Sequence, residues 1–186
     1  HHAGALSLVV ERIATHRLMA LMFANTPKAM TAWGGTRPVF GTNPIAFAAP
    51  RAGHAPIVVD LALSSVARGK ILKAAQEGKP IPVGWAKDAD GTPTTDASAA
   101  LKGTLAPIGD AKGAALALMV EVLAAALTGS QLASEATSFF DAEGAPPAVG
   151  QLLVVLDPAA FAGIEVVTER IAHLASEIEG DGARVP

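Results

Sequence analysis

The chain has 186 residues, of which 51% are hydrophobic, 17% charged and 4% aromatic, with a formal net charge of −3. Its mean hydropathy of +0.39 excludes an intrinsically disordered chain. Its lack of a basic cluster argues against a nucleic-acid partner, and its lack of Cys removes disulfides, thiolate metal sites and cysteine nucleophiles.

Residues 5–17 place Leu6, Val9, Val10, Ile13 and Ala14 at helical spacing and predict an amphipathic helix. The apolar run 18–24, ended by Asn25-Thr26-Pro27, predicts a buried strand. Residues 33–43 carry two adjacent Gly and a Pro and read as a loop. Residues 44–49 and 57–63 read as two strands joined by the turn Pro50-Arg51-Ala52-Gly53-His54. Ser64 and Ser65 are the expected N-caps of a helix reaching about Gln76, with Gly78 as its stop.

Residues 80–108 lack periodicity and are rich in Pro, Gly, Thr and Asp, which predicts a long functional loop. Asp110 opens the longest expected helix, 111–127, closed by Thr128-Gly129. Lys112 and Glu121 interrupt its apolar run, so it reads as a buried core helix and not as a membrane span. An irregular segment, 129–150, precedes a strand at 152–156 that stops at Asp157-Pro158. A last amphipathic helix, 164–178, sets Val166, Val167, Ile171, Leu174 and Ile178 on one side, with Gly180 at its end. Intermixed strands and helices give an α/β or α+β class.

The sharpest chemical feature is Gly109-Asp110-Ala111-Lys112-Gly113-Ala114. A helix start offers unpaired N–H groups and a positive dipole end, and Lys112 adds a full charge there, which suits a phosphate or carboxylate. In the plainer reading, Asp110 caps the helix and Lys112 is solvated. No Gly-x-Gly-x-x-Gly follows a strand, and Gly69-Lys70 lacks the rest of a P-loop, so neither ordinary nucleotide motif is present. Asp88-Ala89-Asp90-Gly91 with Asp96 hints at calcium but lacks the third ligand and the closing Glu; a solvated turn is the better reading. Asp141 and Glu143 read as surface charge ahead of a carboxylate pair. His1, His2, His16, His54 and His173 have no metal-ligand spacing, so no metal is expected. No Gly-x-Ser-x-Gly elbow supports a serine triad.

Several stretches together carry a family resemblance: His2-Ala3-Gly4-Ala5, Trp33-Gly34-Gly35, Gly41-Thr42-Asn43-Pro44-Ile45-Ala46 and Val59-Asp60-Leu61-Ala62. They continue through Ala67-Arg68-Gly69-Lys70, Gly84-Trp85-Ala86, Asp88-Ala89-Asp90-Gly91-x-Pro93-Thr94-Thr95-Asp96 and Lys112-Gly113. Their order and spacing resemble the malate/L-lactate dehydrogenase type of NAD(P)-dependent oxidoreductases, whose cofactor fold is not a Rossmann fold, from residue 1 to about 163.

The resemblance implies a mixed β-sheet flanked by helices and NAD or NADP as cofactor. It implies hydride transfer between a small 2-hydroxy acid (malate, lactate or sulfolactate type) and its 2-oxo acid. The alternatives are a reductase of a cyclic imino acid, or a catalytically inactive fragment that retains cofactor binding. By the same resemblance, cofactor contacts fall on Ala3, Gly4, Ala5, Leu6, Ser7, Asp60, Leu61, Ala62 and Lys112, and a substrate contact on Thr42; Lys70 is a candidate cation for the substrate carboxylate or else a solvated helix residue.

Two departures matter. The family often carries Gly-Gly-His/Tyr-Lys-Gly where this chain has Gly109-Asp110-Ala111-Lys112-Gly113, which sets an acid beside an expected phosphate site. At Lys70 the piperideine-carboxylate reductases resemble one another in carrying an Asp, so Lys70 favours a hydroxy acid. The family's catalytic His and a substrate-binding Arg lie upstream of the position matching His2, so the resemblance names no catalytic residue here. The chain therefore reads as an N-terminally truncated fragment. Residues 1–163 are expected to form a cofactor-binding domain, and the helix in 164–186 to pack on a missing N-terminal domain. Val167, Ile171 and Leu174 would then form an exposed patch. A homodimer, a cytoplasmic location and no membrane partner complete the expectations.

Overall fold

The computed structural model describes residues 3–140 and 143–186. His1, His2, Asp141 and Ala142 lie outside the described residues, and the reading of Asp141 as surface charge falls there too; Glu143 is exposed, as expected of surface charge. In chain order the elements are α1 (Ser7–Ala14), β1 (Met19–Ala24), β2 (Met30–Thr31), β3 (Pro38–Phe40), β4 (Ile45–Ala49), β5 (Ile57–Leu61) and α2 (Arg68–Gln76). Then come β6 (Ala86–Lys87), β7 (Pro93–Thr94), α3 (Ala97–Lys102), β8 (Thr104–Leu105), α4 (Ala111–Glu121), β9 (Gln151–Leu156) and α5 (Ile164–Gly180). The chain divides into two compact units, one of Ala3–Phe23, Ile45–Leu61 and Leu152–Pro186, the other of Ala24–Pro44 and Ala62–Gln151.

The first unit is built on a four-stranded sheet of order β5-β4-β1-β9. β4 runs antiparallel to both neighbours, pairing Ala48 with Ala20 of β1 and with Val58 of β5. Ala20, Ala46 and Ala48 are fully buried, and such small side chains let a helix approach the sheet closely. α1 lies against β4 and β5 and buries Leu6, Val10 and Ala14, one residue per turn. Burial of Leu6 and of Val10 contributes about 1.5–3 kcal/mol each, and the Ala14 methyl less.

α5 buries Thr168 and Ala175 most deeply, while Val166 and Leu174 are 47% and 53% exposed. The expected stripe is thus rotated on the helix, and of the patch expected to be exposed only Leu174 is, since Val167 and Ile171 are half-buried. Thr168 tolerates burial because its hydroxyl donates to the Ile164 carbonyl at 2.8 Å, and its own carbonyl accepts from the Ala52 amide.

The second unit holds a five-stranded sheet of order β3-β2-β8-β6-β7. β2 and β8 are parallel and the other pairs antiparallel, which makes the sheet mixed. Three expectations are corrected here. The loop 33–43 contains β3, and the long loop 80–108 contains α3 and three two-residue strands. Strands that short leave no period-2 signal to read. Ser64 and Ser65 are not caps: α2 is entered through Ala67 without a side-chain cap, and the two hydroxyls bond the carbonyls of Val66 and Pro107. Asp96 is a cap that the sequence reading passed over, its Oδ1 accepting from the Ser98 and Ala99 amides.

α4 buries Gly113, Ala114, Ala117, Val120 and Glu121 and leaves Leu116, Leu118 and Met119 exposed, so only one face is core. It runs on into a π-helical turn, Val122–Ala126. No helix among the described residues is long and apolar enough to cross a membrane.

Candidate active site

Thr42 sits in a short link between β3 and β4 that is held unusually tightly. A Cβ on Gly41 would collide with the Thr26 carbonyl and hydroxyl and would lie 2.7 Å from Asn43 Oδ1. Only glycine fits there. The Thr42 amide donates to Thr26 Oγ1 at 2.8 Å, and the two hydroxyl oxygens lie 3.2 Å apart. Asn43 follows in a left-handed conformation at φ +40°, fully buried.

Thr26 and Thr42 line a cavity of about 880 Å³, together with Lys28, Arg68, Lys102, Ser138 and the rings of Phe139 and Phe140. Arg68 Nη2 donates to the Leu101 carbonyl at 2.9 Å, and its guanidinium lies 5.7 Å from the Phe140 ring centroid. The lining thus includes three basic residues, of which Lys28 and Lys102 are exposed, and three hydroxyl-bearing ones, and no Asp or Glu is among the described lining residues. That chemistry suits a small carboxylate. On α2 the lining residues are Arg68, Gly69 and Leu72. Lys70 lies about 200° around the helix from Arg68 and is exposed outside this lining. Lys28, Arg68 and Lys102 escaped the sequence reading; Arg68, inside the quoted Ala67-Arg68-Gly69-Lys70 stretch, was the nearest signal.

The expected cofactor residues divide between the two units. In the four-stranded unit, the start of α1 and the end of β5 meet: the Ser7 amide donates to Asp60 Oδ2 at 2.8 Å. Asp60 thereby satisfies a helix-start donor that no neighbouring side chain caps. Ala3, Gly4 and Ala5 are exposed ahead of it, with Gly4 at φ +68°. Leu61 is 40% exposed, whereas Leu6 is buried in the core and offers a ligand only its backbone.

In the five-stranded unit, Ala62 lines the Thr42 cavity and Lys112 is exposed in the first turn of α4. Asp110 does not cap α4; it sits at φ +52°, ψ −113° with no side-chain cap bond. The Gly113 Cβ position is filled by the Ile108 backbone, so that glycine serves helix packing rather than ligand approach. An uncapped helix start with a Lys in its first turn fits a cofactor phosphate, and the Asp110 carboxylate works against it.

The described histidines lie elsewhere. His16 Nδ1 is 2.8 Å from the Arg12 carbonyl, and His173 Nε2 is 3.6 Å from Glu177. His54 lines a separate cavity of about 500 Å³ with Arg17, Arg51 and Thr168. Asp88 Oδ1 accepts from the Asp90 and Thr92 amides, closing a turn. Among the described residues no cluster of His, Asp and Glu could hold a metal. Two carboxylates titrate low: hydrogen bonds from Arg17 to Glu165 and from Arg51 to Glu179 hold each below the ordinary carboxylate value.

The family model for malate/L-lactate dehydrogenase matches residues 1–185. The chain belongs to that family. Within it, the chain is 52% identical to a (2R)-3-sulfolactate dehydrogenase (NADP(+)) of Chromohalobacter salexigens, aligning over all of this chain and 56% of that protein. It is 46% identical to a delta(1)-pyrroline-2-carboxylate reductase of Pseudomonas fluorescens, again over all of this chain and 56% of the relative. The chain thus spans about half the length of these curated relatives.

Among solved structures, the delta1-piperideine-2-carboxylate reductase of Pseudomonas syringae superposes with a TM-score of 0.90 at 42% identity, covering 98% of this chain and 55% of that one. The sulfolactate dehydrogenase of Methanocaldococcus jannaschii gives 0.82 at 32% identity, covering 97% and 51%. The expected mixed α/β architecture and family are therefore shown, and the relatives are oxidoreductases.

Proposed function

We propose that the protein serves an NADP-dependent oxidoreductase that interconverts a small 2-hydroxy acid, of the sulfolactate, malate or lactate type, and its 2-oxo acid. The observation that carries this reading is the Thr42 cavity, with its Lys28, Arg68 and Lys102 cations and no described carboxylate in its lining. Arg68, steadied by Leu101 and Phe140, and the two lysines neutralise the substrate's acid groups. The Thr42 hydroxyl, fixed through Thr26, hydrogen-bonds the substrate. A bound nicotinamide supplies the hydride. Lys112 at the α4 start holds a cofactor phosphate, while Ala3–Ser7 with Asp60 and Leu61 present backbone and carboxylate partners to the cofactor. Lys70, exposed outside the cavity lining, keeps its place as a further cation for the substrate carboxylate only if the substrate reaches beyond the cavity.

The 52% identity to a sulfolactate dehydrogenase named for NADP(+) supports the cofactor and the acid class. We further propose that residues 1–163 act as the cofactor-binding domain, and that the exposed Val166 and Leu174 of α5 pack on another part of a longer, homodimeric, cytoplasmic enzyme.

A second reading, reduction of a cyclic imino carboxylate, is favoured by the pyrroline-2-carboxylate reductase relative and the 0.90 superposition. NADPH oxidation measured with sulfopyruvate, oxaloacetate, pyruvate and Δ1-pyrroline-2-carboxylate decides between them. Turnover of an oxo acid is expected of the longer enzyme. Turnover of the imine alone would replace the first reading with the second. NADPH binding without turnover of any of the four would leave the chain a cofactor-binding fragment.

A further inference from the structure

Glu121 is a buried carboxylate, 5% exposed, and no cation is paired with it among the described residues. Burying an acid without a counter-charge is costly unless every lone pair finds a donor. Here the donors are amides. Oε1 accepts from the Ala133 backbone at 2.6 Å and from Asn25 Nδ2 at 3.4 Å, and Oε2 accepts from Asn43 Nδ2 at 2.8 Å. Asn43 Nδ2 also donates to the Ala117 carbonyl at 3.0 Å, while its Oδ1 accepts from the Thr26 amide at 3.4 Å. Asn43 thus ties α4 to both residues whose hydroxyls meet in the cavity. The network extends to Asn25, whose Oδ1 accepts from the Gly150 amide at 2.7 Å.

The helix changes character at this point. The π-helical turn begins at Val122, immediately after Glu121, with the Leu127 amide reaching back to the Val122 carbonyl at 2.8 Å. Such turns cost hydrogen-bond geometry and persist where a side chain must be set at an angle that regular helix does not give. A purely structural core position would more cheaply hold an apolar residue. The acceptor-only carboxylate is what three converging N–H donors require, and a Gln would turn an NH2 against one of them.

We propose that Glu121 is a positioning residue for substrate binding: through Asn43 it fixes the Gly41–Asn43 link so that the Thr42 hydroxyl faces the cavity. This rests on reading that cavity as a carboxylate site. The test uses oxalate, a compact mimic of a 2-oxo acid, titrated calorimetrically into the wild type, Thr42→Ala, Glu121→Gln and Asn43→Gly, and into the Thr42→Ala/Glu121→Gln double variant. Amide hydrogen exchange across residues 41–43 and the Tm are recorded for each. Asn43→Gly keeps the φ +40° conformation accessible while cutting the tie, so it stays informative if Glu121→Gln does not fold.

Each single variant is expected to weaken oxalate by about tenfold, with the double variant no weaker than Thr42→Ala. Glu121→Gln and Asn43→Gly are also expected to speed exchange of the Thr42 amide. A lower Tm with unchanged oxalate affinity and unchanged exchange at 41–43 would overturn the proposal. If the wild type does not bind oxalate, the cavity reading fails and the substrate-binding role falls with it; exchange at 41–43 then tests only whether Glu121 fixes the link, with no change refuting that too.

Discussion

The two units reach their folds by different means. In the four-stranded unit an apolar helix stripe, Leu6, Val10 and Ala14, lies against β4; its Arg17–Glu165 pair faces solvent, and Arg51 is largely buried where it meets the half-exposed Glu179. In the five-stranded unit the strands are two or three residues long, and a buried polar network around Glu121 does much of the fixing. Apolar packing tolerates small adjustments because it is non-directional. A hydrogen-bonded network tolerates few, since each lost partner leaves a buried group unpaired. Precise placement of the Thr42 hydroxyl belongs to the unit built in the second way.

The sharpest contrast comes from one added methyl against one removed side chain. Gly41→Ala forces a Cβ onto Thr26 and is expected to cost about 3 kcal/mol and to abolish oxalate binding, read by denaturant unfolding and calorimetry. Val10→Ala, in the other unit, is expected to cost about 2 kcal/mol by leaving a cavity under α1, while the folded protein binds oxalate as before. Equal losses of oxalate affinity in the two variants would end the distinction between the units.

Asp110→Gly acts in the opposite direction. The φ +52°, ψ −113° geometry is one that glycine adopts without penalty, so the change is expected to raise stability by about 1 kcal/mol. It also removes an acid two residues from Lys112, so NADPH is expected to bind tighter by fluorescence titration. Unchanged NADPH affinity would detach the α4 start from the cofactor.

The smallest effect is on acid stability. Glu165 and Glu179 have folded pKa values lowered from 4.5 by Arg17 and Arg51. Their contribution is therefore complete above that unfolded value and is lost as pH falls through the lower folded values. Replacing Arg17 and Arg51 together by Met is expected to flatten the fall of the urea midpoint below about pH 4.5 and to leave it parallel to wild type at neutral pH. An unaltered acid limb would show that these pairs contribute nothing.

Much of the four-stranded unit was legible. Its helices and longer strands declare themselves by period, as α1 does through Leu6, Val10 and Ala14. The rotation of the α5 stripe was not, because Thr168 looks polar in the sequence and is satisfied only by a carbonyl one turn back. In the other unit, β6, β7 and β8 are too short to show periodicity, and Ser64 and Ser65 resembled caps whose hydroxyls in fact serve Val66 and Pro107. Thr42 stands in a recognisable motif, whereas Lys28 and Lys102 line the same cavity from segments carrying no motif.

The sequence by itself determined the class of fold and the family, because composition, helical period and the order of short motifs are local properties of the chain. It also marked Gly41-Thr42-Asn43 as special without saying why. Only the tertiary structure decided that Gly41 is compelled by the Thr26 backbone, that Asn43 answers to Glu121 across 78 positions of sequence, and that Arg68 rather than Lys70 lines the cavity. Steric exclusion and the satisfaction of a buried carboxylate depend on which distant segments arrive at one point, and no local pattern encodes that arrival.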